Sequence, residues 1–179
     1  MIESLTIGFL VGLLASIMKG TKMKNSKKII TATLLLAAGY AGLVSAHSVS
    51  GTLGKAVNGF AATDTYQVTC YDANDGSGVP NNLYLHVKDL APVLAPLVST
   101  QASKGTATTV LSTDAKDGDA VYSPAITLTP PVGSGSGAYT VRVNKSASTV
   151  KGIEAYTLEA HCQKGTTHAG TSVALIINQ

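Results

Sequence analysis

The chain has 179 residues, of which 45% are hydrophobic, 13% charged and 5% aromatic, and its formal net charge is +3. This length suits one ordinary domain, or one domain with an appendage. The hydrophobic fraction excludes a disordered chain, and the lack of a strict sequence period excludes a collagen or a coiled coil.

The positive charge is concentrated at the N-terminus. Residues 1–46 contain five of the thirteen Lys and Arg residues but one of the ten acidic residues. The other 133 residues therefore carry eight basic and nine acidic groups, a net charge of −1. Because the folded part is nearly neutral, we expect no nucleic-acid partner.

Residues 1–22 contain an apolar run, 5–18, that lies ahead of a second methionine, Met23. An exported protein does not need two apolar runs before its mature sequence. The simplest interpretation is that translation starts at Met23 and that residues 1–22 are a start-site extension. An inserted N-terminal hairpin is the alternative, and neither interpretation bears on the fold.

Residues 23–46 have the pattern of a secretory signal peptide. Three lysines precede an apolar stretch, and the small residues that end at Ala46 predict cleavage after that residue. A membrane anchor is the alternative, but the stretch is shorter than the roughly 20 apolar residues that span a bilayer. We therefore expect a periplasmic or secreted protein that has no stable membrane span after processing and starts at His47.

Beyond residue 46, alternation of apolar and polar residues predicts strands and no helix. Four segments show it strongly and five more weakly. The strong segments are 66–71, 83–88, 139–143 and 156–162, and the weak ones are 48–53, 97–101, 106–111, 125–129 and 171–177. Turn clusters rich in Gly, Pro and Asp separate them. Residues 47–179 are therefore predicted to form a single antiparallel β-sandwich, Ig-like or jelly-roll-like, behind an N-terminal signal helix.

The two cysteines, Cys70 and Cys162, are predicted to form a disulfide. Export to an oxidising compartment makes pairing the default, and alternation turns both sulfurs towards the apolar faces of their strands. A bridge between the two sheets would close a long loop and stabilise the fold by about 4 to 5 kcal/mol in the chain-entropy model. The same alternation turns Glu159 and His161 outward. No Cys-x-x-Cys pair is present to suggest zinc.

Three short motifs resemble the landmarks of bacterial pre-peptidase C-terminal domains. They are Asp64-Thr65-Tyr66, Gly137-Ala138-Tyr139-Thr140-Val141-Arg142-Val143 and Tyr156-Thr157-Leu158, within residues 64–162. The resemblance implies a small secreted β-sandwich that binds or presents rather than catalyses. The predicted cystine and the lack of an adjoining protease domain depart from that family.

No motif nominates a catalytic nucleophile. The sequence lacks the G-x-S-x-G, H-E-x-x-H, P-loop and dinucleotide-binding patterns. We therefore predict that the protein is not an enzyme.

His47, as the first mature residue, would offer an α-amine and an imidazole to one metal ion. This arrangement resembles the histidine brace of secreted copper proteins. A brace needs a second imidazole, for which His161 and His168 are the candidates, whereas His86 lies mid-strand and is a poorer one. An exposed terminal His without any metal is the competing interpretation. The mature chain has no Met, which disfavours copper(I) but not copper(II).

Two further features suggest ligands. Asp114, Asp117 and Asp119 share a turn and could bind calcium, although ordinary turn chemistry explains such residues better. Tyr84 is predicted on a polar face, where it could stack on a sugar.

Together these patterns predict an exported, non-catalytic β-sandwich with a binding or structural role at the cell surface or in the periplasm, including self-assembly or contact with a surface polymer. The alternatives are a periplasmic copper-binding protein that uses His47 with His161 or His168, and a carbohydrate-binding module that uses Tyr84.

Overall fold

The structure of the chain is a computed structural model, and it describes residues 47–55, 57–92, 96–131 and 135–179. The predicted start-site extension at 1–22 and the predicted signal peptide at 23–46 lie outside the described residues. Within these ranges all the regular secondary structure is strand. None of the described residues forms a helix of the length and hydrophobicity needed to cross a bilayer.

Eleven strands, numbered β1 to β11 in chain order, make up the described part of the molecule. They are β1 (Ser48–Leu53), β2 (Ala62–Tyr71), β3 (Asn82–Leu90), β4 (Ser99–Lys104), β5 (Ala107–Thr108), β6 (Ser112–Thr113), β7 (Ile126–Leu128), β8 (Gly137–Lys145), β9 (Glu154–Lys164), β10 (Thr167–His168) and β11 (Gly170–Ile177). All nine predicted segments overlap a strand. The two-residue strands β6 and β10 were not predicted, and the segment at 106–111 shortens to β5.

The strands form two antiparallel sheets that pack against each other. The first sheet has the order β1-β9-β3-β7, and β10 pairs with the end of β9. The second has the order β11-β2-β8-β4-β5, and β6 pairs with β4. The structure confirms the predicted antiparallel β-sandwich.

The core follows the alternation of the sequence. Along β2, β3, β8 and β9, every second side chain is buried between the sheets, as Val68, Leu85, Val141 and Leu158 illustrate, each with 0% exposure. Burying an aliphatic side chain of this size stabilises the fold by about 1.5 to 3 kcal/mol. The other faces of β3 and β9 are left for polar residues.

A disulfide joins the two sheets through the core. Cys70 on β2 and Cys162 on β9 are bonded, their Cα atoms lie 5.4 Å apart, and both residues are buried. The structure confirms the predicted pairing. A buried disulfide is typical of proteins that fold in an oxidising, extracytoplasmic environment.

A buried hydrogen-bond chain also crosses the core. The hydroxyl of Tyr156 donates to Asp64 Oδ2 at 2.5 Å and lies 2.7 Å from the hydroxyl of Tyr66. Burial, then the hydrogen bonds to Asp64 and Tyr66, raise the pKa of Tyr156. These polar atoms are satisfied without water, so the chain links β2 to β9 at little cost in desolvation.

Candidate metal centre

All four histidines of the chain lie in one group on the outer face of the first sheet, the face turned away from the core. We call His47, His86, His161 and His168 the histidine cluster. His47 directly precedes β1, and the others belong to β3, β9 and β10, which pair in the same sheet. Antiparallel pairing therefore gathers residues that are up to 121 positions apart in the sequence.

His47 is held against β9 by the first hydrogen bond of the β1 pairing. Its carbonyl oxygen accepts from the backbone N–H of Ala160 at 3.0 Å, and the next residue, Ser48, lies opposite Glu159. The imidazole of His47 consequently lies 5.8 Å from that of His161 between ring centroids, at an interplanar angle of 71°. The predicted partners His47 and His161 are thus neighbours.

His168 reaches the same place through a tight hairpin. The chain turns at Gly165, whose φ of +64° suits glycine, and β10 then places His168 opposite Gln163. The His168 ring stacks on His161 with centroids 4.4 Å apart and an interplanar angle of 9°. His168 thus lies at the end of a short strand.

The central residue of the cluster is His161, which is only 9% exposed. Its outward direction agrees with the alternation of β9, but the neighbouring rings cover it. Its Nδ1 atom is buried and has no hydrogen-bond partner in the described part of the chain. Buried polar atoms are rarely left unsatisfied in native proteins, so this nitrogen is available to a ligand.

The surroundings of His47 and His161 favour neutral imidazoles. Burial, followed by the charge of His168, lowers the pKa of His47. Burial and then His168 likewise lower the pKa of His161, against a smaller opposing effect of Glu159. Neutral imidazoles keep the lone pair that a metal ion requires.

His86 has a different partner from the rest of the cluster. Its Nε2 lies 2.5 Å from Glu159 Oε2, and its ring stacks on Tyr122 at 4.0 Å. Burial raises the pKa of Glu159, but the hydrogen bond and charge of His86, with the charge of His161, outweigh it and leave the pKa lowered. Glu159 is therefore an anion beside the cluster, and His86 is engaged with it.

The ring of Tyr84 lies near both His86 and His161. Its ring centroid is 5.4 Å from that of His86 and 6.2 Å from that of His161. The Tyr84 ring, which is predicted to stack on a sugar, therefore has two imidazoles beside it. The carbohydrate-binding hypothesis stays a prediction.

The ring centroids lie at spacings found around a single ion, but binding of one ion requires side-chain rotation. Imidazoles on one ion, each with a metal–nitrogen bond of about 2.0 Å, have centroids about 4.5 to 6.5 Å apart. The distances of 5.8 Å and 4.4 Å around His161 are close to this range. In the structure the imidazole nitrogens are not gathered around one point, and His168 must leave its stacked position on His161 to bind the same ion.

The three predicted aspartates, Asp114, Asp117 and Asp119, are not by themselves among the groups of described residues whose ligand atoms lie close enough to share one ion. Both carboxylate oxygens of Asp114 accept backbone N–H groups, from Asp89 and Lys116, and Asp119 accepts from Val121. Of the three, Asp117 alone joins an acidic group, in which it meets two residues that the sequence analysis missed, Asp89 and Glu154. Both lie at inward positions of their strands, and this conflict between charge and alternation was the signal that could have identified them.

Comparison of the sequence with protein-family models and with curated proteins finds no match. The resemblance to pre-peptidase C-terminal domains therefore remains a prediction. Any function must be argued from the chemistry of the residues themselves.

Proposed function

We propose that the protein is exported, trimmed to His47 and acts as a copper(II)-binding protein rather than as an enzyme. The observation that carries the proposal is the position of His47 beside His161, whose buried Nδ1 has no hydrogen-bond partner among the residues that the structure describes. The ligands would be the α-amine and imidazole of His47 with the imidazole of His161. His168, stacked on His161, would supply a further nitrogen.

The chemistry of these groups selects copper(II). Two to three imidazoles and an amine form a nitrogen-rich set, which copper(II) accepts in a tetragonal arrangement. Soft sulfur ligands for copper(I) are lacking, because all three Met residues precede residue 24 and both cysteines form the disulfide. The same disulfide leaves neither cysteine as a nucleophile, which supports a binding role.

Glu159 supports a cation at this place. Its carboxylate is anionic, is fixed by His86 and a hydrogen bond from Tyr122, and acts on the charge of His161. A fixed anion near a metal-binding imidazole stabilises the bound cation.

Export is part of the same proposal. The signal-peptide pattern at 23–46 supports a periplasmic or secreted location, and the buried disulfide agrees with it. Cleavage after Ala46 converts the backbone amide of His47 into a free amine. The binding site is therefore complete only in the processed protein.

The test is a copper(II) titration of the exported protein, in competition with a chelator, after mass analysis has identified its N-terminus. We expect one copper ion per chain. The His161→Gln variant should raise the Kd by at least about 100-fold, because a ligand is lost. His86→Gln removes the partner of Glu159 rather than a proposed ligand, so it should raise the Kd by a smaller factor than His161→Gln does.

Two further controls separate a folded site from simple chelation by the terminus. Insertion of Gly-Ser-Gly-Ser between Ala46 and His47 moves the free amine away and should weaken binding. The peptide His-Ser-Val should bind less tightly than the protein. If the protein binds copper no better than this peptide and is unaffected by His161→Gln, the proposal is wrong.

A second candidate function, self-assembly, is favoured by the exposed edge strand β11. This eight-residue strand has no charged residue and pairs with β2 at the edge of its sheet. Leu175, Ile176 and Ile177 at its end are 45%, 57% and 48% exposed. Uncharged edges with exposed apolar residues favour addition of a strand from a second copy of the chain.

A further inference from the structure

We propose that Asp89, Asp117 and Glu154 form a calcium-binding site, separate from the histidine cluster. Asp89 lies near the end of β3 and Glu154 at the start of β9, and Asp117 belongs to the loop that follows β6. One carboxylate oxygen from each residue lies within 4.8 Å of the other two.

The geometry suits one ion of the size of calcium. Calcium binds oxygen ligands at about 2.4 Å, which places opposite ligands about 4.8 Å apart. Magnesium, at about 2.1 Å, needs a tighter set and usually keeps several waters. The three oxygens all lie within 4.8 Å of one another, so one calcium ion between them can contact all three.

Independent evidence for a ligand comes from the oxygens that lack partners. Asp89 is 0% exposed and Glu154 is 1% exposed. Asp89 Oδ1 and Glu154 Oε2 are buried and have no hydrogen-bond partner among the residues that the structure describes. An unpaired buried carboxylate oxygen is costly, and a bound cation removes that cost.

The surrounding protein holds the carboxylates in place rather than neutralising them. Asp89 Oδ2 accepts the N–H of Val98 at 2.8 Å, and the N–H of Asp89 donates to Asp114 Oδ2 at 2.7 Å. Gly118, next to Asp117, donates its N–H to the carbonyl of Asp89 at 3.2 Å. The loop is therefore tied to the end of β3, as a preorganised site requires.

Two anionic groups, Asp89 and Asp117, and one cation, Lys145, act on Glu154. Lys145 acts on Glu154, but its Nζ donates to the carbonyl of Gly152 at 2.8 Å. Burial, then the charges of Asp89 and Asp117, raise the pKa of Glu154 to about 7. Burial also raises the pKa of Asp89 to about 6. Without a metal the group is only partly ionised at neutral pH, and a divalent cation would favour the ionised state.

The test uses terbium(III), which replaces calcium and emits when a nearby tyrosine is excited. Tyr156 is the cross-strand partner of Asp89, so their Cβ atoms lie about 4.5 to 5.5 Å apart. We expect Tyr-sensitised terbium emission from the exported, metal-free protein, and we expect Ca²⁺ to displace terbium more readily than Mg²⁺ does.

Variants then locate the site. Glu154→Gln and Asp89→Asn should each weaken Ca²⁺ binding at least about tenfold, because each removes a charged ligand. If the variants at the two buried positions do not fold, Asp117→Asn provides the same test at a partly exposed position. Asp72→Asn is the matched control, because Asp72 lies between β2 and β3, where its carboxylate accepts the N–H of Asn74. His161→Gln should bind Ca²⁺ normally.

Three results would overturn the proposal. The first is no displacement of terbium by Ca²⁺ up to about 10 mM, above the range of weak extracellular sites. The second is unchanged Ca²⁺ binding in Glu154→Gln and Asp117→Asn. The third is tighter binding of Mg²⁺ than of Ca²⁺, which would contradict the choice of ion.

Discussion

At the scale of single residues, the molecule contains polar groups at positions where alternation predicts apolar ones. Asp64, Asp89 and Glu154 all point inward from their strands. Asp64 is satisfied by the hydroxyl of Tyr156, whereas Asp89 and Glu154 each keep an oxygen without a partner in the described part of the chain. This difference separates a structural carboxylate from two candidate ligands.

Glu154 makes the stability of the metal-free protein depend on pH. Its pKa is raised from 4.5 to about 7 in the folded state, so between these values the folded state binds more protons than the unfolded state. Stability therefore falls as pH rises from 4.5 to 7. The loss for Glu154 alone is roughly 3 kcal/mol, at 1.36 kcal/mol per pKa unit.

Glu154→Gln should remove this dependence. The free energy of unfolding, measured by urea denaturation with a chelator present, should rise for the variant relative to the unsubstituted protein as pH increases from 4.5 to 8. His47 and His161 act in the opposite direction, because their lowered pKa values cost stability as pH falls through 6.5. Asp89, whose pKa is raised to about 6, acts in the same direction as Glu154 in both proteins, so the difference between the two proteins isolates the contribution of Glu154. An equal difference between the two proteins at pH 5 and pH 8 would contradict the prediction.

At the scale of elements, short strands have the largest consequences for the candidate copper site. β10 contains two residues, yet its pairing with β9 brings His168 onto His161. Alternation needs about four residues to be recognised, so a two-residue strand leaves no pattern in the sequence. Its existence follows from the Gly165 turn and from the N–H of Ala169, which donates to the carbonyl of Cys162 at 2.8 Å.

The edge strand β11 provides the prediction at this scale. If a second copy adds to this edge, Ile176→Lys should raise the dissociation constant of the assembly about tenfold or more, because it places a charge in an apolar contact. Sedimentation velocity over a range of concentrations measures this effect. Val110→Lys, at an exposed apolar residue outside the strands, is the control and should not change association. A monomer at all concentrations in the unsubstituted protein would exclude assembly.

At the scale of the whole molecule, the Cys70–Cys162 disulfide links the two sheets at the strand that carries the candidate copper site. Cys162 directly follows His161 on β9, and its N–H donates to Thr171 Oγ1 at 2.9 Å. The bridge joins residues 92 positions apart. A loop of this length restricts the unfolded chain strongly.

Replacement of both cysteines by alanine should lower the free energy of unfolding by about 4 to 5 kcal/mol in the chain-entropy model. Urea denaturation of the variant and of the oxidised protein at the same pH measures the loss. Mass analysis of the oxidised protein, which should lack two hydrogen atoms, is the control for complete pairing. A loss below about 1 kcal/mol would contradict a stabilising role for the bridge.

The sequence by itself determined the properties that depend on local pattern, and it determined the disulfide because only one pairing of two cysteines is possible. Alternation identified nine strands and the antiparallel sandwich, and the inward direction of the only two cysteines identified the disulfide. The tertiary structure confirmed both predictions. His47 was recognised as a candidate ligand because it directly follows the predicted cleavage site, a position that can be read from the sequence.

Only the tertiary structure decided which distant residues meet. Strand order and register bring all four histidines to one face, cover His161, and place Asp117 with Asp89 and Glu154. Local alternation specifies the direction of a side chain from its own strand but not the neighbour of that strand. Burial and the pKa values that follow from it depend on those neighbours, so neither candidate metal site could be completed from the sequence.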